Sequence, residues 1–195
     1  MSSDRGSGPL AGLLDEAERL DLATFGAIER TPTPALDRAM ARLTRAADYS
    51  RLWITSAAGL AIAGGPRGRR AAANGLACLA VTATVVNLVL KPIGRRRRPT
   101  RAARELPVSQ PVPTPRSASF PSGHSAAGFS FATGVGDVAP IPAIPLHALA
   151  ALVAYSRVHT GVHYPADALA GGLLGVAIAR AVTAARRPSV ARSRR

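Results

Sequence analysis

Along this chain hydrophobicity and charge are separated rather than mixed. Between residues 10 and 30, Leu10, Leu13, Leu14, Ala17, Leu20 and Ile28 recur at roughly helical spacing among charged neighbours. That pattern predicts an amphipathic helix lying at a membrane surface. The sequence TPTP at 31–34 interrupts it, and a second amphipathic helix is expected over 35–47. Neither is apolar enough to cross a bilayer.

From residue 52 the character changes. Apolar runs follow at 52–65, 71–90, 122–138, 141–155 and 167–185. The run at 71–90 has the length a bilayer requires, about 20 residues. The first run is short, and extending it backward carries Arg51 and Asp48 toward hydrocarbon. Trp53 at its start reads as an interfacial anchor. Pro142 and Pro145 are expected to break the beginning of the fourth run, and Arg180 interrupts the fifth. Ala and Gly dominate these segments, which favours intimate helix packing, and Gly171 and Gly175 have the GxxxG spacing that permits close helix contact.

The pattern predicts an all-α, integral-membrane helical bundle of about five transmembrane segments with N-terminal amphipathic helices. Its expected divisions are a disordered N-terminus at 1–9, an amphipathic segment at 10–50, a membrane core at 51–185 and a basic disordered tail at 186–195. The polar, Gly/Ser-rich beginning does not read as a secretory signal, and no internal repeat is present.

Charge narrows the partners. The formal net charge is +14, from 25 Lys plus Arg against 11 acidic residues, and Lys91 is the sole lysine. Such a balance suits nucleic acid, acidic lipid or phosphate-bearing substrates. Aromatics make up only 4% of the chain, which leaves few stacking platforms for single-stranded nucleic acid. Nucleic-acid binding also leaves the apolar helices without a purpose. The lone Cys78 excludes an internal disulfide and a cysteine-based zinc site, and reads as a small buried hydrophobe.

Three polar stretches stand at the ends of apolar helices. Lys91 is followed by Arg98-Pro99; PSGH occupies 121–124; SRVHTGVHYPAD occupies 156–167. His163 and Asp167 are four apart, on one face of a helix starting near Pro165. A carboxylate there accepts the proton of one imidazole nitrogen and leaves the other free as a nucleophile. The sequence SGH opens an apolar helix, where unpaired N–H groups and the helix dipole favour an anion. His124 titrates in the range needed to protonate a leaving oxygen. Lys91, Arg98 and Arg157 would hold phosphoryl oxygens, the arginines by forked hydrogen bonds and the lysine as a point charge. The sum fits phosphoryl transfer through a phosphohistidine without a metal.

These stretches resemble the signature motifs of the type 2 phosphatidic acid phosphatase superfamily, K-x6-R-P, P-S-G-H and S-R-x5-H-x3-D. Every motif position is matched between residues 91 and 167. The resemblance implies a metal-independent membrane lipid phosphatase with a helical core and no cofactor. His163 would be the nucleophile, Asp167 its partner and His124 the general acid. Lys91, Arg98, Ser122, Gly123 and Arg157 would bind phosphate. Members of the superfamily often have six spans; here the segment at 10–47 stands in place of the first. The resemblance leaves the lipid open: polyprenyl phosphate or diphosphate, phosphatidic acid and phosphatidylglycerophosphate all satisfy one phosphate cradle.

Other polar residues have plainer readings. Arg95, Arg96 and Arg97 read as solvated headgroup and topology signals. His147 and His159 read as structural. A zinc site from His124, His159, His163 and Asp167 is the metal alternative, weakened because no Glu lies between His159 and His163. A catalytically silent membrane scaffold is a further alternative, against which the complete motif set argues. With five spans the motif-bearing face carries sixteen basic residues and the other nine. By the positive-inside rule the chain is expected to be a multi-pass protein of the cell membrane with its site on the cytoplasmic face. The oligomeric state is not read from the sequence.

Overall fold

The computed structural model describes residues 9–31, 33–94, 96–99, 112 and 117–186. The expected tails beyond Pro9 and Arg186, and Arg95, lie outside the described residues. Among those described there are helices and no strand. The helices are α1 (Pro9–Arg30), α2 (Pro34–Ala46), α3 (Arg51–Ala63), α4 (Gly65–Ile93), α5 (Gly123–Val138), α6 (Pro140–His159) and α7 (Pro165–Arg186). A 3₁₀ turn, Asp48–Ser50, leads into α3, and a π-helical stretch, Val85–Leu90, lies inside α4.

All five apolar runs are helical, but they differ in reach. Helices α4, α6 and α7, of 29, 20 and 22 residues, are long and apolar enough to cross a membrane. Helices α3 and α5 have 13 and 16 residues, below the roughly 20 that a span needs. Helix α3 ends at Gly64, and Gly65 turns the chain with φ +56°. Helix α4 then starts six residues before the apolar run at 71, so Arg67, Arg69 and Arg70 lie in its first turns. Arg67 donates through Nε to the carbonyl of Val138 (3.0 Å), serving an orphan acceptor at the end of α5.

Helix α5 is central, packed against α4, α6 and α7. Its surroundings invert the pattern of a water-soluble protein. The interior is mostly small residues, Ala71, Ala126, Ala132, Ala150 and Ala179 among them, with Phe131, Val135 and Val153. Large apolar side chains such as Ile62, Leu88, Ile141, Ile144, Leu169 and Leu173 point outward. In lipid, burial of such residues gains little, and close backbone approach supplies the packing energy. Gly171 and Gly175 show it: a Cβ on either would stand 2.3 Å from a backbone carbonyl oxygen of α5's start, that of Ser122 or Ala126. The GxxxG spacing therefore seats α7 on α5.

Two expectations are corrected. Trp53 is not an interfacial anchor: it is 1% exposed, its ring 5.8 Å from that of Phe131 and against Gly128. Nor do prolines break α6, which runs from Pro140 through Pro142 and Pro145. Pro140 and Pro142 fall where backbone N–H groups have no intrahelical acceptor, so only Pro145 removes a bond.

The amphipathic helices do more than lie on a surface. Helix α2 packs on α6, and Phe25 of α1 packs with Val158, Ala168 and Tyr164. Replacing Gly175 by Ala is expected to destabilise the bundle by about 1–3 kcal/mol, the cost of overpacking. Replacing Gly59, which has nothing within 4 Å of its Cβ position, should be close to neutral. Thermal unfolding midpoints of the two variants in detergent check this.

Candidate active site

The three polar stretches meet at one end of the bundle. The α6–α7 turn is built first. Gly161 takes a left-handed φ of +68°, letting the N–H groups of Val162 and His163 both reach the carbonyl of Arg157 (3.0 and 3.1 Å). This turn presents His163 inward, 2% exposed. Pro165 starts α7, and Asp167, in its first turn, reaches back to accept the Tyr164 N–H (3.0 Å), half of a capping box.

Asp167 is fully buried and receives donors on both oxygens. Oδ2 also accepts the Ser119 hydroxyl, and Oδ1 accepts Nη1 of Arg96 (2.9 Å). His163 Nδ1 lies 3.6 Å from Oδ2, with Ser119 Oγ 3.4 Å from that same nitrogen. The expected His–Asp pair is thus present at a looser distance, with the serine lodged beside it. On the other edge of the ring, Nε2 faces Nη1 of Arg98 at 3.1 Å. A guanidinium can only donate, so Nε2 carries the lone pair and Nδ1 the proton.

Arg98 is itself held by carbonyls of Ser117 (3.0 Å), Ala118 (3.1 Å) and Val162 (3.0 Å). It ties the segment after α4 to the approach to α5 and to the α6–α7 turn. Ser122 caps α5, accepting the Ser125 N–H and hydroxyl through its Oγ, while its own N–H donates to the carbonyl of Asp167 (3.0 Å). The Lys91 ammonium stands over Gly123, 3.5 Å from where a Cβ would be, so a side chain there would crowd it. Arg157, 2% exposed, donates to the hydroxyl of Thr44 from α2. His124 feels the charges of Arg157, His163, Lys91 and Arg98; burial first, and these charges with it, push its imidazole down to about 3, below the range expected of it from the sequence. All eight residues singled out in the motifs are therefore gathered in one place. A cavity of about 190 Å³ opens there, lined by Lys91, Gly123, His124, Asn87, Ser50 and Trp53.

Burial pushes the His163 imidazole down to about 4, with the charges of Arg98 and Arg157 acting in the same sense and Asp167 opposing them. At neutral pH the ring is uncharged.

Arg96 overturns its sequence reading. It is no headgroup signal: it bridges Asp167 and, through Nη2, Asp21 of α1 (2.6 Å), and its guanidinium lies 4.3 Å over the Tyr164 ring. Asp21 also accepts the Ala166 N–H at the start of α7 (2.7 Å). Burial works against the Arg96 charge, but the bonds to Asp21 and Asp167 outweigh it. Beyond Arg96, sequence reasoning passed over Ser119, Asp21, Thr44 and Asp48. The one available signal was an isolated acid, Asp48, just ahead of an apolar run.

The zinc alternative does not assemble. His159 turns to Asp37 (2.7 Å) and Tyr155, and His124 to Asp48 (3.0 Å). No group of three His, Cys, Asp or Glu converges among the described residues. His147 bonds the Ala143 carbonyl (2.9 Å). A second cavity, about 460 Å³ and apolar, lies between α6 and α7 beside α1; it runs past Val158, Pro165 and Ala168, the chain neighbours of Arg157 and Asp167.

A bundle of membrane helices with three polar motifs gathered at one end is an architecture with known representatives. The model of the PAP2 superfamily matches residues 72–190, and the chain belongs to that superfamily. Among curated proteins it is similar to the decaprenylphosphoryl-5-phosphoribose phosphatases of Mycobacterium tuberculosis (strain CDC 1551 / Oshkosh; 33% identity over 99 residues, 51% of this chain and 52% of that one) and Mycolicibacterium smegmatis (32% over 129 residues, 66% and 67%). The match spans about half the length of the former. Among solved structures it resembles the transmembrane PAP2-type phosphatidylglycerolphosphate phosphatase of Bacillus subtilis (TM-score 0.65, 26% identity, 92% of this chain and 90% of that one). The fold is also that of Aquifex aeolicus LpxE (TM-score 0.66, 24% identity, 85% and 95%).

A depressed His163 has a signed consequence. An unfolded histidine takes up a proton near 6.5, so the stability this site contributes is complete above that pH and is lost as pH falls toward 4. Imidazole NMR in micelles should find His163 titrating near 4. Arg96→Gln should move that value upward, because Asp167 then acts on the ring with its charge no longer shared.

Proposed function

We propose that the protein is an integral-membrane phosphatase that hydrolyses a phosphomonoester or diphosphate of a lipid through a phosphohistidine. The observation that carries this reading is the placement of the His163 ring between Asp167 and Arg98, which fixes its tautomer. Its proton faces the Ser119–Asp167 side, and its lone pair faces the guanidinium of Arg98, where a phosphoryl group would be held.

In the first step Nε2 of His163 attacks phosphorus in line, and the bond from phosphorus to the leaving oxygen breaks. His124 gives that oxygen its proton. In the second step water attacks the phosphohistidine, His124 takes a proton from it, and inorganic phosphate leaves. Asp167 and Ser119 keep Nδ1 protonated and balance the charge that develops on the ring. Lys91, Arg98, Arg157 and the opening of α5, through the Ser122 hydroxyl and the Gly123 N–H, meet the equatorial oxygens as charge redistributes. Four sources of positive potential in one cradle can carry this load without a metal.

The substrate class follows from the surroundings. The relatives named for decaprenylphosphoryl-5-phosphoribose, the outward-facing apolar helices and the apolar cavity beside α7 all favour a polyprenyl phosphate or diphosphate. Phosphatidic acid and phosphatidylglycerophosphate are the remaining members of the class. The excess of basic residues on the motif side supports a cytoplasmic-facing site in the cell membrane.

The purified protein in micelles should release phosphate from a polyprenyl phosphate far faster than from a short water-soluble phosphate, and should do so in the presence of chelator. His163→Ala should lower that rate by several orders of magnitude and abolish acid-labile labelling of the protein by ³²P-substrate. Equal release by the variant would remove His163 from the nucleophile's role.

A further inference from the structure

His124 sits in a contradictory environment for a proton donor. Arg157 from α6, Lys91 from α4 and Arg98 from the segment after α4 all bear on it, with His163 opposite. Burial and each of these cations oppose a positive charge on the ring, yet a general acid must hold a proton until the leaving oxygen takes it. Among the described residues one carboxylate touches the imidazole: Oδ1 of Asp48, 3.0 Å from Nε2.

The backbone is bent to place it there. Tyr49 and Ser50, neither of them glycine, both have left-handed φ values, +54° and +60°, in the turn that follows Asp48. Consecutive non-glycine residues in this region are strained, and such strain persists where the surrounding structure demands it. Ser50 and Tyr49 line the same 190 Å³ cavity as Lys91, Gly123 and His124. Asp48 lies outside the three motifs and outside the residues, 72–190, matched by the family model.

We propose that Asp48 is a positioning residue for His124, holding the ring by Nε2 and setting a negative charge against the cradle's cations so that Nδ1 delivers the proton. The inference rests on the phosphatase reading of the site. In the imidazolium, Nε2–H donates to Asp48 and Nδ1–H points away from it. When the phosphorus–oxygen bond breaks, the Nδ1 proton passes to the leaving oxygen and the ring becomes neutral, still bonded to Asp48. In the second step Nδ1 takes the proton of the attacking water, and the cycle closes without an outside donor.

The test uses two substrates that differ in need for an acid: farnesyl phosphate, whose alkoxide leaves only with a proton, and p-nitrophenyl phosphate, whose phenolate leaves without one. Asp48→Asn should reduce kcat for farnesyl phosphate roughly tenfold or more, part of the about 10²–10⁴-fold a general acid contributes, and change p-nitrophenyl phosphate little. The alkaline limb of kcat should move to lower pH by about one unit, since a neighbouring carboxylate favours the imidazolium. Asp48→Glu should recover much of the loss, and Asp48→Asn should add nothing in a His124→Ala background. Independently of turnover, NMR titration should find the His124 imidazole losing its proton at lower pH in Asp48→Asn than in wild type. Equal loss on both substrates, or no change in either rate or titration, overturns the role of Asp48. Wild-type protein that releases phosphate from neither substrate overturns the phosphatase reading instead, and the titration alone then shows whether Asp48 governs the proton on His124.

Discussion

A carboxylate with no access to solvent has to be satisfied from within, and Asp167 is the charge on which the polar end of this bundle depends. Removing such an ion from water costs several kcal/mol unless hydrogen bonds and opposite charge replace the lost hydration. Its donors come from separate pieces of chain: Tyr164 from its own turn, Ser119 from the approach to α5, and Arg96 from the segment after α4. His163 lies alongside, and Asp21 from α1 holds Arg96 in turn. Three segments that carry or flank the motifs are tied together through this one buried ion. A bundle of apolar helices alone would have no reason to fix these ends to within an ångström.

That arrangement explains what the sequence disclosed and what it did not. The apolar runs, the helix start at Pro165 and the gathering of Lys91, Arg98, His124, Arg157, His163 and Asp167 were legible, because they rest on spacing and local chemistry. Arg96 was not. In RRRR every side chain reads alike, and the choice is made by backbone direction: Arg96 and Arg98 turn inward, whereas Arg97 is exposed. Trp53 was misread for a related reason. The space that buries it is made by Gly128 on another helix, 75 residues away. The strength of the GxxxG spacing was also invisible, since its worth lies in the carbonyls of Ser122 and Ala126 that it admits.

The N-terminal helices change meaning in the same way. As sequence they are amphipathic segments with a polar face, suited to any interface. In the fold that face is spent on particular partners, Asp21 on Arg96, Asp37 on His159 and Thr44 on Arg157, and the turn after α2 adds Asp48 on His124. The motif signature of a family therefore does not mark the limits of its site. Arg157 and His124 each take a partner, Thr44 and Asp48, from chain that precedes the matched segment.

The π-helical stretch at Val85–Leu90 carries a last consequence. Lys91 N–H donates to Val86, five residues back, so this part of α4 holds one residue more than a regular helix of the same rise. Each residue advances the helix by about 100°. Lys91 consequently occupies the bearing that Leu90 would have in an unbroken α-helix, while Leu88 and Val89 remain outside. The surplus residue works as angular slack. Shortening the stretch by one would leave the ammonium where it is, whereas winding the same residues into a regular α-helix would swing it roughly a quarter turn away from Gly123. The direction of a single cation is thus encoded in a length, and substitutions that preserve composition but tighten the winding would turn it aside.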